Sequence, residues 1–347
     1  MKVLNQSLGI DVSGKNLEVT LKTKNDQGQV KIKGSRKFDN GTSGITALQG
    51  WLGKKIQAGV PLKVVMKATG VYYEKVAYML HRQGFSVHVL LPNRTKAYLR
   101  FLNVKSKTDK IEANGLAQLG LDQQLPEWKP ASVQMYSLKR LSRERHSLVD
   151  EKAALSNRMH AEKACQDPDR DAIKRLNQRL KLLEKQIKEV EGQLMAKVQQ
   201  DPELSQKVDN ICSIKGLGPI TVVCIIAETN GFELIRRRSQ LVSYAGYDVV
   251  ERQSGSSING KTRISKKGNA HIRRALHFPA LCVVKYQTEF ADFFNRVFER
   301  SKIKMKAYTA VQRKLLVLIF TLFRKNQPYD PSFLQNLTVQ DSRQATS

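Results

Sequence analysis

A chain of 347 residues with 41% hydrophobic and 26% charged residues is long enough for two or three domains, and its composition is that of folded rather than disordered protein. Its 59 Lys and Arg against 31 Asp and Glu leave a formal charge of +28, and self-repulsion on that scale calls for a polyanionic partner, nucleic acid before others. A membrane role is not expected: the longest near-apolar run (residues 315–323) is too short to span a bilayer, Asp11 and Lys15 interrupt any signal segment, and no lipidation motif is present.

Ser7–Val12 reads as a short buried strand carrying one carboxylate, Asp11. Leu17–Leu21 and Val30–Phe38 read as two further strands, joined through the polar turn Asn25-Asp26-Gln27-Gly28. Ile45–Ile56 has helical spacing, Leu62–Met66 is strand-like, Val76–Arg82 helical, and Val87–Leu91 a strand. The result is a mixed sheet with helices in the order β-β-β-α-β-α-β. A further helix starts near Thr108, with Asp109 and Glu112 three residues apart and so on one face. Asp11, Asp109 and Glu112 come from separate elements. Hard oxygen ligands so placed can converge on Mg2+ and leave places for phosphate. The same residues also read as a strand-end turn residue and as acids favoured by a helix N-terminus, and the pattern alone supports both. Six basic residues between Arg94 and Lys110, Lys105 and Lys107 among them, form either a solvated face or a track for nucleic acid beside these acids.

In the middle of the chain, Leu138, Leu141, Leu148, Leu155 and Met159 fall at helical spacing in a charged background. Pro168 interrupts the pattern. It resumes at Leu176, Leu180, Leu183, Ile187, Val190, Leu194 and Val198, as in a helical hairpin or coiled coil. Such a pair either joins subunits or packs within its own chain. Four cysteines (Cys165, Cys212, Cys224, Cys282) show no Cys-x-x-Cys spacing, which argues against zinc and disulfides and for small buried hydrophobes in a cytosolic protein.

Lys215-Gly216-Leu217-Gly218-Pro219 opens an apolar helical run to Glu228, and is either a tight turn or a turn presenting N–H groups to phosphate. Leu241–Gly246 leads into the most basic stretch, Arg252 to Arg274, which holds seven Lys and Arg (Arg252, Lys261, Arg263, Lys266, Lys267, Arg273, Arg274), no acid, and a Ser/Gly-rich loop at its start. The stretch is either a solvated loop or a cradle holding a phosphodiester beside a hydroxyl. Ile272–Val284 and Val311–Phe323 read as buried helices with basic flanks.

Five features in order carry a resemblance: Gly9-Ile10-Asp11-Val12-Ser13, Ala68-Thr69-Gly70-Val71-Tyr72, Lys107-Thr108-Asp109-Lys110-Ile111-Glu112-Ala113, Lys215-Gly216-Leu217-Gly218-Pro219, and Ser254-Gly255 with Ile264-Ser265-Lys266-Lys267-Gly268-Asn269. Together they resemble the DEDD-type insertion-sequence transposases of the "IS one-ten" family, bridge-RNA-guided recombinases, from about Leu8 to Arg324. The resemblance implies a RuvC-like (RNase H fold) domain at 1–130, a coiled coil at 131–205, a mostly helical C-terminal Tnp domain at 206–330, and a tail at 331–347. It makes Ser254 the nucleophile, with Ser256 and Ser257 as neighbours able to replace it, and Asp11 and Asp109 the first and third metal-binding acids. Glu112 stands at the fourth position, where the family has Asp. At the second position, before Ala-Thr-Gly, the family has Glu and this chain has Lys67; Glu74, seven residues on, is the residue that could substitute for it as a ligand.

The resemblance implies a DNA transposase or recombinase that forms a phosphoserine intermediate with Mg2+ assistance. Phosphate would be held by Arg252, Lys261, Arg263, Lys266 and Lys267, with Arg273, Arg274, Lys105, Lys107, Lys215, Gly216 and Gly218 as further nucleic-acid contacts. Its implied partners are donor and target DNA, a structured non-coding bridge RNA, and further copies of itself as a dimer or tetramer, in the bacterial cytoplasm at the nucleoid. Two other readings are a RuvC-like metal-dependent nuclease of branched DNA and a basic protein that binds nucleic acid without cutting it.

Overall fold

The computed structural model describes residues 2–106, 108–233, 235–254 and 258–331, and their side chains except those of 252–259 and 261. The chain divides into two compact units, Met1–Pro130 and Ala131–Ser347.

The first unit is built on a five-stranded sheet of order β3-β2-β1-β4-β5. Strands β1 (Val3–Val12), β2 (Asn16–Asn25) and β3 (Val30–Asp39) form an antiparallel meander. The expected polar turn joins the last two, with Asn25 Oδ1 accepting from the N–H groups of Gln27 and Gln29 and Gly28 at φ +78°. Strand β1 is buried from Gln6 to Val12, as suits a central strand covered on both faces. Edge strand β3 is mostly exposed and carries Lys31, Lys33, Arg36 and Lys37, which discourages pairing with another chain.

After α1 (Thr42–Lys55), β4 (Leu62–Lys67) runs parallel to β1 and β5 (Ser86–Leu90) parallel to β4, with α2 (Glu74–Arg82) between them. Ile45, Leu48 and Leu52 of α1 and Val76, Ala77 and Leu80 of α2 close over Leu8, Ile10, Leu17 and Val19 in one core. Helices α3 (Pro92–Phe101) and α4 (Asp109–Asp122) contribute Tyr98, Leu116 and Leu119 to a second, with Val65 and Leu90. The sequence reading missed α3. Pro92 starts it at the first helical position, but only Thr95 and Tyr98 are buried, so its basic residues hide the apolar period.

The second unit opens with the long helices α5 (Val133–Ala164) and α6 (Arg170–Gln199), which fold back on each other within the chain. Leu155, Met159, Leu176 and Leu183 make their shared seam, and Arg145–Glu191 and Lys152–Glu184 ion pairs tie the flanks. The periodicity left open an association between subunits; the seam is filled within the chain. The next elements are α7 (Pro202–Cys212), α8 (Pro219–Glu228), α9 (Arg238–Ala245), the antiparallel hairpin β6 (Val249–Ser254) and β7 (Ile258–Ile264), then α10 (Ala270–Ala275), α11 (His277–Tyr286), α12 (Thr288–Ser301) and α13 (Lys304–Lys325). Helix α8 is buried on all sides from Val222 to Glu228 and is the centre of the core, with Leu315, Leu316 and Ile319 of α13 in the same cluster.

Two expectations, on the run from Ile272 and on the cysteines, are corrected here. The run Ile272–Val284 is two helices that meet at Leu276. The second unit is mostly helical as expected, and adds the β6–β7 pair, in which Val249–Ser254 and Ile258–Ile264 run antiparallel. Of the four cysteines only Cys224 is buried, and Cys165 is exposed because it ends α5 at the hairpin turn. Among the described residues no helix is long and apolar enough to cross a membrane.

The tightest packing in the first unit is α4 on β1. A Cβ on Gly9 would lie 2.0 Å from the Ala113 carbonyl oxygen and 2.4 Å from the Ala117 nitrogen. A Cβ on Gly120 would meet Ser7 Oγ at 2.1 Å. Backbone atoms cannot give way as a flexible side chain does, so Gly9→Ala is expected to push α4 off the sheet. The expected cost is about 1–3 kcal/mol or somewhat more, seen as a lower urea midpoint with an unchanged slope.

Candidate functional site

Strands β1 and β4 are parallel and in register with Ile10 opposite Met66, so Asp11 and Lys67 are the next residues at the carboxyl ends of adjacent strands. Helix α4 crosses the same end. Its N-cap Thr108 accepts a hydrogen bond from the Ile111 N–H, and Glu112, one residue before the Ala113 that touches Gly9, is buried. The three side chains meet. Lys67 Nζ lies 3.0 Å from Asp11 Oδ1 and donates a hydrogen bond to Glu112 Oε2. All three are largely buried, with side chains 16%, 9% and 11% exposed.

Burial raises the Asp11 carboxyl above its ordinary range, with the charges of Glu112 and Asp109 adding to the effect and Lys67 opposing it. Burial alone would lower the Lys67 ammonium, but its contacts with Glu112 and Asp11 outweigh that and raise it. Asp109, one turn before Glu112, is exposed, although its charge reaches Asp11. The expectation of one shared face for Asp109 and Glu112 therefore needs refining, because only Glu112 turns into the pocket. Glu74 is the first residue of α2.

These residues do not fit the magnesium centre implied by the resemblance. Magnesium binds carboxylate oxygen at about 2.0–2.1 Å, so an ion bridging Asp11 and Glu112 would need the position of the Lys67 ammonium. An ion displaced to ~3 Å from that nitrogen would be repelled by on the order of 10 kcal/mol at an effective dielectric constant of about 20. Among the described residues, no group of three or more His, Cys, Asp or Glu is placed to hold a metal.

Beside the triad opens a cleft of about 550 Å³, walled by Lys67, Thr69, Lys96, Arg100, Lys105 and Glu112. Of the basic residues expected near these acids, Lys96, Arg100 and Lys105 line this cleft, while Lys107 lies outside the described residues. Thr69 holds the cleft floor by donating to the Val12 carbonyl at 3.0 Å.

In the second unit Ser254 is the last residue of β6 and pairs in register with Ile258. Its side chain and those of Arg252 and Lys261 lie outside the described part, as do residues 255–257, which include Ser256 and Ser257. Arg263, Lys266, Lys267 and Lys215 are exposed. Two other expected nucleic-acid contacts are engaged within the fold: Arg273 donates to the Ala245 carbonyl at 2.7 Å, and Arg274 pairs with Asp150 through both terminal nitrogens. Gly216 has φ +98°, and a Cβ there would lie 3.0 Å from Cys282 Cβ. Gly218 caps α8 and has open space around it.

Sequence reasoning missed a buried polar network at the end of α8. Glu228, at the end of α8, accepts from Arg143 Nε at 2.7 Å and Nη2 at 3.0 Å and from Asn269 Nδ2 at 2.7 Å, and Tyr244 donates to its carbonyl at 2.8 Å. Burial would raise the Glu228 carboxyl, but Arg143 and Asn269 hold it below the usual range. The available signal was a lone acid closing an otherwise apolar helix. Next to this network, the rings of His146 and His271 stack with centroids 5.5 Å apart and planes at 7°. Burial, then the positive charges of Arg274, His271 and Arg145, lower His146 to about 4, with Glu228 opposing. Burial likewise lowers His271.

Two family models match the chain in order. Residues 8–162 match the DEDD domain of IS110 type, described as a transposase, and residues 208–295 match the model described as Transposase IS116/IS110/IS902 family. The chain is 28% identical over 299 residues to the pilin gene-inverting proteins of Moraxella bovis and Moraxella lacunata, which covers 84% of this chain and 89% of each relative. It is 23% identical over 120 residues to the "Insertion element IS110 uncharacterized 43.6 kDa protein" of Streptomyces coelicolor, which covers 35% of this chain and 29% of that one. A solved structure of an Aquifex aeolicus member of the Ppx/GppA protein family aligns over 93% of the chain and 92% of its own at 9% identity, with a TM-score of 0.22, too low to bear on the fold.

The histidine pair gives the second unit a pH dependence of definite sign. Above about pH 6.5 His146 is neutral in both folded and unfolded chains, so it has no effect. Between that value and about 4 the unfolded chain takes up a proton that the folded chain does not, so stability falls as pH falls and levels off below about 4. The loss expected from His146 is on the order of 3 kcal/mol. Denaturant melts across this window should show it, and His146→Phe should flatten the slope.

Proposed function

The chain belongs to the IS110 family of transposases, enzymes that rearrange DNA, and from that premise we propose that it cuts and rejoins DNA through a phosphoserine intermediate at Ser254, under the guidance of a structured RNA. The observation that carries the reading is the position of the second family match: residues 208–295 contain the whole β6–β7 hairpin, with Ser254 at the end of its first strand. Exposed Arg263, Lys266 and Lys267 on and after the second strand supply charge for a phosphate held there. In the proposed step, Ser254 Oγ forms a bond to the scissile phosphorus, one deoxyribose oxygen leaves as a hydroxyl, and the serine proton passes to a base. Attack by another strand's hydroxyl reverses the step and releases the serine, so no net hydrolysis occurs.

The first unit we assign to the RuvC-like, RNase H type on its strand order, with a three-stranded antiparallel meander followed by two strands parallel to β1. Guidance by RNA is supported by the chain's charge of +28: a protein that leaves sequence recognition to base pairing needs mainly backbone affinity. Exchange of strands between two duplexes requires more than one nucleophile, hence a dimer or tetramer. The relatives named for inverting a pilin gene favour rearrangement over simple cutting. The alternative of a metal-dependent nuclease is disfavoured by Lys67, which stands between the carboxylates that such an enzyme would use.

Incubation with DNA carrying the element's ends and any co-purifying RNA, followed by denaturation, is expected to trap a covalent protein–DNA adduct. Ser254→Ala should abolish the adduct while leaving DNA affinity within a few-fold. An adduct that survives would transfer the role to Ser256 or Ser257, and free cleaved ends without an adduct would favour the nuclease.

A further inference from the structure

We infer that the Lys67 ammonium is the resident cation of the acidic pocket in the first unit, doing the charge-neutralising work of a divalent ion, and that the pocket takes up no metal. This goes beyond the serine chemistry and does not depend on it. Three observations converge. Lys67 leaves β4 one residue past the Ile10–Met66 pair, so the parallel register delivers its side chain to the end of β1 where Asp11 stands. Its nitrogen contacts Asp11 and Glu112 at once, spanning the two carboxylates as a bridging metal would. The close approach of Gly9 to Ala113 and Ala117 fixes the backbone that carries Glu112 against β1, so the Glu112 carboxylate starts from beside Asp11 and Lys67. Without Lys67, two largely buried carboxylates would face each other with the charge of Asp109 nearby, which is the arrangement that attracts a hard divalent cation.

The ammonium also shapes the adjoining cleft. Lys96, Arg100 and Lys105 line it together with Lys67, so a phosphate entering there meets fixed cations on the protein. The family's second acid would need a metal to make the same surface attractive to phosphate.

The test uses the full chain with Mn2+ as the probe, read by the loss of its free-ion EPR signal, and with melting temperature measured in EDTA and in millimolar Mg2+. The wild-type chain should show the same melting temperature in both, and no Mn2+ binding that Asp11→Asn removes. Lys67→Glu should melt lower than wild type in EDTA, recover in Mg2+, and bind Mn2+ about tenfold more tightly or better, with that gain lost in the Asp11→Asn double variant. If Lys67→Glu does not fold, Lys67→Gln carries the same comparison, because it also removes the charge and leaves both carboxylates. Wild-type Mn2+ binding that Asp11→Asn abolishes would overturn the inference, and so would a folded Lys67 variant that gains no metal. Neither result depends on Ser254, so failure here is distinguishable from failure of the adduct experiment.

Discussion

The absence of a side chain at Gly9 is the constraint on which the acidic pocket depends. With no Cβ in the way, α4 lies directly against β1, and its residues Ala113 and Ala117 are themselves small enough to permit the contact. Glu112 is thereby fixed beside Asp11, two residues further along β1, and the parallel register of β4 brings Lys67 into the same space. Gly120, over Ser7 and Val65, repeats the close approach two turns along the helix and sets its direction. The site is thus a consequence of backbone-on-backbone packing, which is stiffer than contacts between long side chains.

That stiffness changes what a single substitution at the second acidic position does. In a loose site a lysine among carboxylates could swing into solvent and leave the acids to a metal. Here the side chain is largely buried, and its charge is matched by two carboxylates that have themselves lost most of their water. An ion pair of this kind has little net value over an apolar cluster, but removal of one partner leaves an uncompensated buried charge. The ammonium is therefore held in place mainly by the penalty of leaving, and the positions of its neighbours depend on it in return.

The second unit organises its buried charge differently. Helix α8 is surrounded by apolar neighbours, and its last residue, Glu228, is the point where Arg143 from α5 and Asn269 before α10 converge. Asn269 also caps α10 by accepting from the His271 and Ile272 N–H groups, so one side chain links the buried acid to the helix in which the basic stretch ends. Arg273 and Arg274, expected among the nucleic-acid contacts, are instead engaged within the fold through Ala245 and Asp150. The basic charge is thus divided: some cations hold the scaffold, and Arg263, Lys266 and Lys267 remain exposed.

The order of elements in the first unit, the polar turn before β3 and the helical hairpin were legible in the linear sequence, because each follows from local periodicity or from turn residues at fixed spacing. Helix α3, the break at Leu276 and the β6–β7 hairpin were not, because their apolar patterns are short and are interrupted by charge. The sequence also carried the oddity of Lys67 before Ala-Thr-Gly, but not its consequence: spacing along the chain cannot say that residues 11, 67 and 112 meet at one nitrogen. The same holds for Glu228, Arg143 and His146, whose roles arise from contacts across many residues and from the loss of water that follows. Sequence determined which groups carry charge and which segments form elements; only the tertiary structure decided which charges face one another out of solvent, because strand register and helix packing are long-range constraints that no local pattern records.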